Sequence, residues 1–311
     1  MNTMKWLIRR ELWEHKGSLL WTPAAVATAI AAMAALAAFA GRQITFTGDI
    51  VVEGGPLDHM VDVISRTYIA SAVPLFLMLS MLVFFYCLGA LHDDRRDRSI
   101  LFWKSLPVSD LETVLSKVAV ALLVAPLITT AIALLLSLFV LLVICLIISM
   151  HGTPILGPVL LSPELYRTAL TLPALLPVYA LWALPTVGWL LLVSSLARSK
   201  VFLWAVGTPV VAAMLLVWAE KIFHIELNAA SFVFHVAYRI LLGAIPGCWF
   251  LFTLDGTHTH MFRPDGDSFQ VGGILEASWQ TLGSASVWIG VAAGIAMLAG
   301  AVWIRRHREE G

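Results

Sequence analysis

Two histidines and three carboxylates come nearest in this sequence to the spacing of a metal site. His258 and His260 stand two residues apart, and Asp255, Asp265 and Asp267 lie in the same short stretch. Imidazole and carboxylate groups can bind zinc or copper. The Gly and Pro residues of the stretch are typical of turns, and a tight site needs about four ligands in fixed geometry. The sequence favours a solvated turn over a metal site.

Other motifs for chemistry are missing from the sequence. It contains no G-x-x-x-x-G-K-[ST] motif, so no P-loop is expected to hold nucleotide phosphates. No nucleophile-elbow pattern is present. Cys87, Cys145 and Cys248 are dispersed, without metal-binding spacing or a disulfide framework. The chain is therefore predicted not to be an enzyme and to bind no metal or cofactor of its own.

Charged residues are concentrated in residues 92–117. Ten of the forty charged residues of the chain fall in this segment of 26 residues, which also holds an apolar run around Trp103 between Arg98 and Lys104. Apolar groups rimmed by charge are typical of a surface that docks another protein. Anchoring of the Trp and Arg side chains at lipid headgroups explains the composition equally well.

The composition of the whole chain indicates an integral membrane protein. Of its 311 residues, 59% are hydrophobic and 13% are charged, and the mean hydropathy is +0.87. Soluble domains average about 25% charged residues. The formal net charge is zero, so the overall charge balance gives no indication of a nucleic-acid partner.

Six charge-free runs are long enough to cross a bilayer, which takes about 20 apolar residues. They are residues 17–41, 67–91, 118–150, 168–197, 201–219 and 277–304. A seventh run, 240–254, is short and interrupted by Gly and Pro, so we expect it to be re-entrant or interfacial. The sequence therefore predicts an all-α, polytopic protein with six transmembrane helices in a single transmembrane domain.

The positions of Lys and Arg predict the orientation. With both termini inside, 14 of the 20 basic residues lie on the cytoplasmic side and six on the outer side, as the positive-inside rule requires. The inner set is Lys5, Arg9, Arg10, Lys16, Arg95, Arg96, Arg98, Lys104, Lys117, Arg198, Lys200, Arg305, Arg306 and Arg308. The outer set is Arg42, Arg66, Arg167, Lys221, Arg239 and Arg263.

Residues 3–16 predict an amphipathic helix in the membrane interface. Met4, Ile8 and Leu12 recur at helical spacing, and the two tryptophans are seven residues apart. The residues expected to make interfacial contacts are Trp6, Arg9, Arg10 and Trp13. A simple cytoplasmic extension of the first span is the alternative.

Within residues 92–117, the pattern predicts two short helices that meet at a turn. Pro107 interrupts the first, and Ser109 has the position of an N-cap for the second. Glu112 follows three residues later, which is the spacing of a capping box.

The stretch "DRRDRSILFWKSLPVSDLETVLSK" resembles the cytoplasmic loop of ABC-2 type permeases, the six-span membrane subunits of ATP-binding-cassette exporters. The resemblance implies that this loop carries a coupling helix that inserts into a cleft of an ATPase subunit, with the N-terminal interfacial helix beside it. It also implies a long extracytoplasmic segment, residues 220–276, between helices 5 and 6. The residues implied to contact the ATPase or shape the loop are Asp97, Arg98, Ser99, Leu101, Trp103, Leu106, Pro107, Ser109 and Glu112.

The partners implied are two copies of an ABC ATPase, which would use ATP and Mg²⁺, a second identical or homologous permease, and membrane lipids, with no nucleic acid. The expected location is the cytoplasmic (inner) membrane of a bacterium, with both termini cytoplasmic. One alternative is a non-transporting sensor or scaffold that docks an ATPase through the same loop. A channel or ion-coupled carrier ranks third, because the six runs lack the ionisable residues on which such proteins rely.

Overall fold

The computed structural model describes residues 3–39, 67–96, 109–150, 156–223, 233–252 and 271–307, and these ranges contain helices and turns but no strand. Six helices in them are long and apolar enough to cross a membrane. The prediction of an all-α membrane protein with six potential spans is therefore confirmed.

The helices follow the chain in this order. In the first half are α1 (Thr3–Glu14), α2 (Thr22–Phe39), α3 (Val73–Ala90), α4 (His92–Arg96), α5 (Asp110–Ala119) and α6 (Ala125–Met150). In the second half are α7 (Leu156–Leu161), α8 (Pro163–Ala174), α9 (Leu176–Leu196), α10 (Val201–Phe223), α11 (Arg239–Leu242), α12 (Trp249–Phe252), α13 (Val271–Gln280) and α14 (Ala285–His307). Single π-helical turns occupy Gly17–Trp21, Val120–Val124 and Val233–Tyr238, and a 3-10 turn occupies Thr281–Gly283.

The six candidate spans coincide broadly with the six apolar runs of the sequence. They are Gly17–Ala38, Thr67–Arg96, Asp110–Met150, Leu165–Leu196, Val201–Phe223 and Ala285–His307. The last one begins later than the apolar run that starts at residue 277, because α13 and the 3-10 turn occupy the residues before Ala285.

Two of the long helices carry charged extensions at their N-terminal ends. The π-helical turn at Gly17–Trp21 joins α1 to α2, and the one at Val120–Val124 joins α5 to α6. The second of these helices, Asp110–Met150, has 41 residues. At 1.5 Å per residue it is roughly 60 Å long, about twice the thickness of the hydrocarbon core. Part of it must therefore lie outside that core.

Proline divides the fourth span into two helices. Pro173 lies in the last turn of α8, Leu175 separates the helices, and Pro177 stands in the first turn of α9. Proline is tolerated in a first turn, where its missing N–H leaves no bond unmade. Pro185 lies inside α9, where it cannot donate the backbone hydrogen bond of a helix interior.

The helix α9 lies at the centre of the bundle. Its Trp182, Val187 and Leu190 are fully buried, and α9 packs against α3 and, most extensively, α14. Glycine makes the contact with α14 possible. A Cβ added to Gly188 would lie 2.7 Å from the carbonyl oxygen of Gly294, closer than atoms can approach without moving the backbone.

The segment between the fifth and sixth spans is built of short helices over residues 233–252. α11 ends in turns that lead through Gly247 to α12. Gly247 has a φ of 88°, a left-handed conformation that glycine adopts without a Cβ penalty. No helix in this part of the chain is long enough to cross a bilayer, in line with the expectation that residues 240–254 do not form a seventh span.

The ends of the second and fourth spans meet at one end of the bundle. Ser194 near the end of α9 accepts hydrogen bonds from the backbone N–H groups of Leu91 and His92, at 3.1 and 3.0 Å, and donates one to the carbonyl of Leu88 at 2.8 Å. The ends of the second and fourth spans are thereby joined. The last turn of α14 lies at this end as well, because Arg305 contacts Asp94 and Asp110.

Replacing Gly188 by Val is expected to destabilise the bundle, because the new side chain collides with the backbone of α14. Overpacking of a well-filled interior typically costs about 1–3 kcal/mol. The measurement is the temperature at which the detergent-solubilised protein loses monodispersity. The matched control is Gly207→Val on α10, where no atom lies within 4 Å of the added Cβ. If the two variants lost monodispersity at the same temperature, the close contact between α9 and α14 would be contradicted.

The predicted orientation can be tested with single cysteines at Ser199, in the exposed turn between α9 and α10, and at Ser268. We expect the two positions to react with a membrane-impermeant maleimide from opposite sides of the membrane. Background labelling should be low, because all three native cysteines are buried. Labelling of both positions from one side would overturn the six-span topology.

Candidate functional site

Five ionisable side chains from four helices converge at the end of the bundle where α1 and α14 both pack against α5. Lys117 Nζ lies 3.0 Å from Glu11 Oε1 and 3.3 Å from Asp94 Oδ2. Arg305 Nη1 lies 3.4 Å from Asp94 Oδ2, and its Nε lies 2.9 Å from Asp110 Oδ1. We call Glu11, Asp94, Asp110, Lys117 and Arg305 the ion network, and the end of the bundle that holds it the charged end.

The capping of α5 places two members of the ion network. Ser109 Oγ accepts from the backbone N–H of Glu112 at 3.1 Å, and Glu112 Oε2 accepts from the backbone N–H of Ser109 at 3.1 Å. This capping box fixes the first turn of α5, where Asp110 is held near the favourable positive end of the helix dipole. Lys117 follows seven residues later, two turns along the same side of the helix.

The position of α1 is set by contacts with α3 and α5. Glu11 Oε2 accepts a hydrogen bond from the Tyr86 hydroxyl at 3.0 Å, while its other carboxylate oxygen pairs with Lys117. Thr3 Oγ1 donates to Glu112 Oε1 at 2.9 Å. Through Thr3 and Glu11, both ends of α1 are thus attached to α5.

Burial makes the central pair of the ion network energetically important. The side chains of Glu11 and Lys117 are each only 2% exposed. Two charges removed from water are tolerated when they are paired and hydrogen-bonded, but removing one partner of such a pair typically costs about 3–5 kcal/mol. The pair therefore constrains where α1 and α5 can lie relative to each other.

The ion network spans the base of the loop that the sequence predicts to dock an ATPase. Asp94 precedes residues 97–108 and Asp110 follows them, and Arg305 contacts both carboxylates. Arg95 adds a second attachment before the loop, because it donates to the carbonyl oxygens of Ser194 and Ala197 at the end of α9. Both flanks of the loop are thus bonded to spans distant in sequence.

The residues predicted to contact the ATPase fall into two groups. The larger group lies outside the described residues: Asp97, Arg98, Ser99, Leu101, Trp103, Leu106 and Pro107. The other two, Ser109 and Glu112, are described and form the predicted capping box. The capping interaction is confirmed, and contact with an ATPase stays a prediction.

His258 and His260 also lie outside the described residues. Within the described residues, no group of three or more His, Cys, Asp or Glu is arranged to hold a metal ion.

The residues predicted to lie in the membrane interface are all on α1. Trp6 and Trp13 are exposed, and the guanidinium of Arg9 lies over the ring of Trp6. Arg10 pairs with Glu14 at 3.2 Å. The opposite side of α1 packs inward through Leu7, Ile8 and Leu12. The amphipathic helix is present, and its location in the interface stays a prediction.

Sequence reasoning missed Glu11 and Lys117 as a pair. They are 106 positions apart, so no local pattern connects them. A signal was available in α1, where Glu11 lies on the side of the helix occupied by Leu7 and Ile8. A carboxylate among apolar residues indicates a buried partner.

Arg239 was also missed as a buried residue. Its guanidinium donates to the carbonyl oxygens of Ser286 and Val287 and lies 4.6 Å from the centre of the Trp182 ring. A Cβ at Gly290 would collide with this guanidinium. These contacts hold α11 against α9 and α14. They lie at a distance from the charged end.

No protein-family model matches the chain, and no curated protein or solved structure matches it significantly.

Replacing Lys117 by Met should strongly destabilise the protein, because Glu11 and Asp94 lose a buried cation. We expect a loss of about 3–5 kcal/mol, measured as a lower midpoint of thermal unfolding in detergent. Glu11→Gln combined with Lys117→Met should cost less than the two single changes added together, since the double variant leaves no unpaired partner.

The control for this prediction is the Arg10–Glu14 pair on α1, which is more exposed than Glu11 and Lys117. Arg10→Gln removes a cation whose partner Glu14 is half exposed, and such pairs contribute about 1 kcal/mol or less. If Lys117→Met and Arg10→Gln lowered the unfolding midpoint equally, the buried network would not hold α1 in place.

Proposed function

We propose that this chain is the permease subunit of an ABC-2 type exporter, which moves a substrate across the cytoplasmic membrane of a bacterium by alternating access. ATP and Mg²⁺ would be used by a separate ATPase, because the sequence has no P-loop. Six candidate spans are few to enclose a path for a bulky solute. Two permeases, identical or homologous, would therefore assemble above two ATPase subunits.

The observation that carries this proposal is the attachment of the loop at residues 97–108. Arg305 contacts Asp94 before the loop and Asp110 after it, at 3.4 and 2.9 Å. Lys117 connects the same base to Glu11 of α1. A loop that only connected two helices would need no such bonds.

This arrangement supports a role in coupling. ATP binding would close the ATPase dimer and push on the loop as a rigid body. The ion network would carry that displacement to α1, α3, α6 and α14, because buried bonded contacts shift together instead of deforming continuously. The uncharged interiors of the spans fit an amphiphilic substrate better than a small ion.

The decisive experiment removes the apolar anchors of the loop. Trp103→Ala combined with Leu106→Ala should abolish co-purification with the co-expressed ATPase, because a central aromatic anchor at an interface typically contributes about 2 kcal/mol or more. Membrane insertion should be unaffected, since neither residue lies in a span. Pull-down of the ATPase and transport-linked ATP hydrolysis are the measurements.

Two further variants sharpen this test. Ser268→Ala in the outer segment is the control and should behave as the unmodified protein. Arg305→Met should retain the ATPase but reduce transport-linked hydrolysis, because the loop is intact while its connection to α14 is lost. Full ATPase recovery and normal turnover without Trp103 and Leu106 would withdraw the coupling role. Retained binding without any measurable transport would favour a sensor or scaffold.

A further inference from the structure

The exposed side of α1 carries aromatic and basic residues in a regular order. Trp6 and Trp13 are 59% and 61% exposed, and Trp21 at the start of the first span is 65% exposed. The guanidinium carbon of Arg9 lies 5.5 Å from the ring of Trp6, and Lys16 Nζ lies 5.4 Å from the ring of Trp13. We call these five residues the Trp-cation face.

The π-helical turn keeps the three tryptophans on one side of the helix. Trp6 and Trp13 are seven residues apart, which is about two turns of α-helix. Trp13 and Trp21 are eight apart, but the π-helical turn at Gly17–Trp21 takes up one extra residue. Thr28, seven residues beyond Trp21, is exposed as well. The Trp-cation face therefore continues the exposed side of the first span, the side that meets lipid in a bilayer.

The charge of this face is positive. Arg9, Lys16 and the neighbouring Lys5 are all exposed. The nearest exposed carboxylate, Glu14, lies 3.2 Å from Arg10, so its charge is balanced within α1. Indole rings prefer the headgroup level of a membrane, and exposed cations beside them attract anionic lipid.

We propose that the Trp-cation face binds the headgroups of anionic phospholipids in the leaflet that surrounds the charged end. Trp21 inserts beside the acyl chains and Trp13 lies at the headgroups, while Arg9 and Lys16 contact the lipid phosphates. Glu11, on the opposite side of α1, belongs to the ion network. The helix therefore connects lipid bound at the Trp-cation face to the base of the loop at residues 97–108. This inference concerns this chain alone and does not depend on the transport proposal.

The test uses the purified full-length chain without any ATPase. The protein is reconstituted in vesicles of equal amounts of phosphatidylcholine and phosphatidylglycerol, extracted in mild detergent, and the co-extracted lipids are quantified by mass spectrometry. We expect phosphatidylglycerol to be enriched. Arg9→Gln and Lys16→Gln should each lower that enrichment by up to about fivefold, the contribution of one cation near an anionic surface.

Matched variants separate position from net charge. Arg10→Gln removes a cation from the same helix but one already paired with Glu14, so the enrichment should persist. Arg9→Lys and Lys16→Arg should also preserve it. Trp13→Leu should lower retention of both lipids with little change in their ratio, because an indole carries no charge.

Unchanged phosphatidylglycerol enrichment in the Arg9→Gln, Lys16→Gln double variant would overturn the proposal.

Discussion

The buried ion pair between Glu11 and Lys117 is the interaction on which the charged end of the molecule depends. Neither residue could be removed from water alone, since each needs the other to offset its desolvation. Their pairing fixes α1 against α5, and the Tyr86 hydroxyl adds α3 to the same point. Three helices that are far apart in sequence thereby acquire fixed positions relative to one another at this end of the bundle.

The ion network and the capping box account for part of the charge in residues 92–117. Asp94, Asp110 and Lys117 are used within the molecule to join spans, and Glu112 caps a helix. Only part of the cluster is thus available to a partner.

The gross architecture was predictable from sequence because the bilayer imposes a simple length requirement. The capping box at Ser109 and Glu112 was predictable for a similar reason, since it is a local pattern of four residues. The ion network was not, because Glu11 and Lys117 meet only after three spans are placed. The burial of Arg239 against Trp182 likewise depends on tertiary packing. The inward packing of Leu7, Ile8 and Leu12 and the outward position of the tryptophans required the partner surface of α1 to be known.

The glycine contact between α9 and α14 limits where such a bundle can open. At Gly188 and Gly294 the two backbones touch without intervening side chains, so there is no rotamer whose movement could create a gap. At this crossing neither a lipid tail nor a solute can pass between the two helices. In the proposed exporter, the substrate would therefore have to pass elsewhere than between α9 and α14.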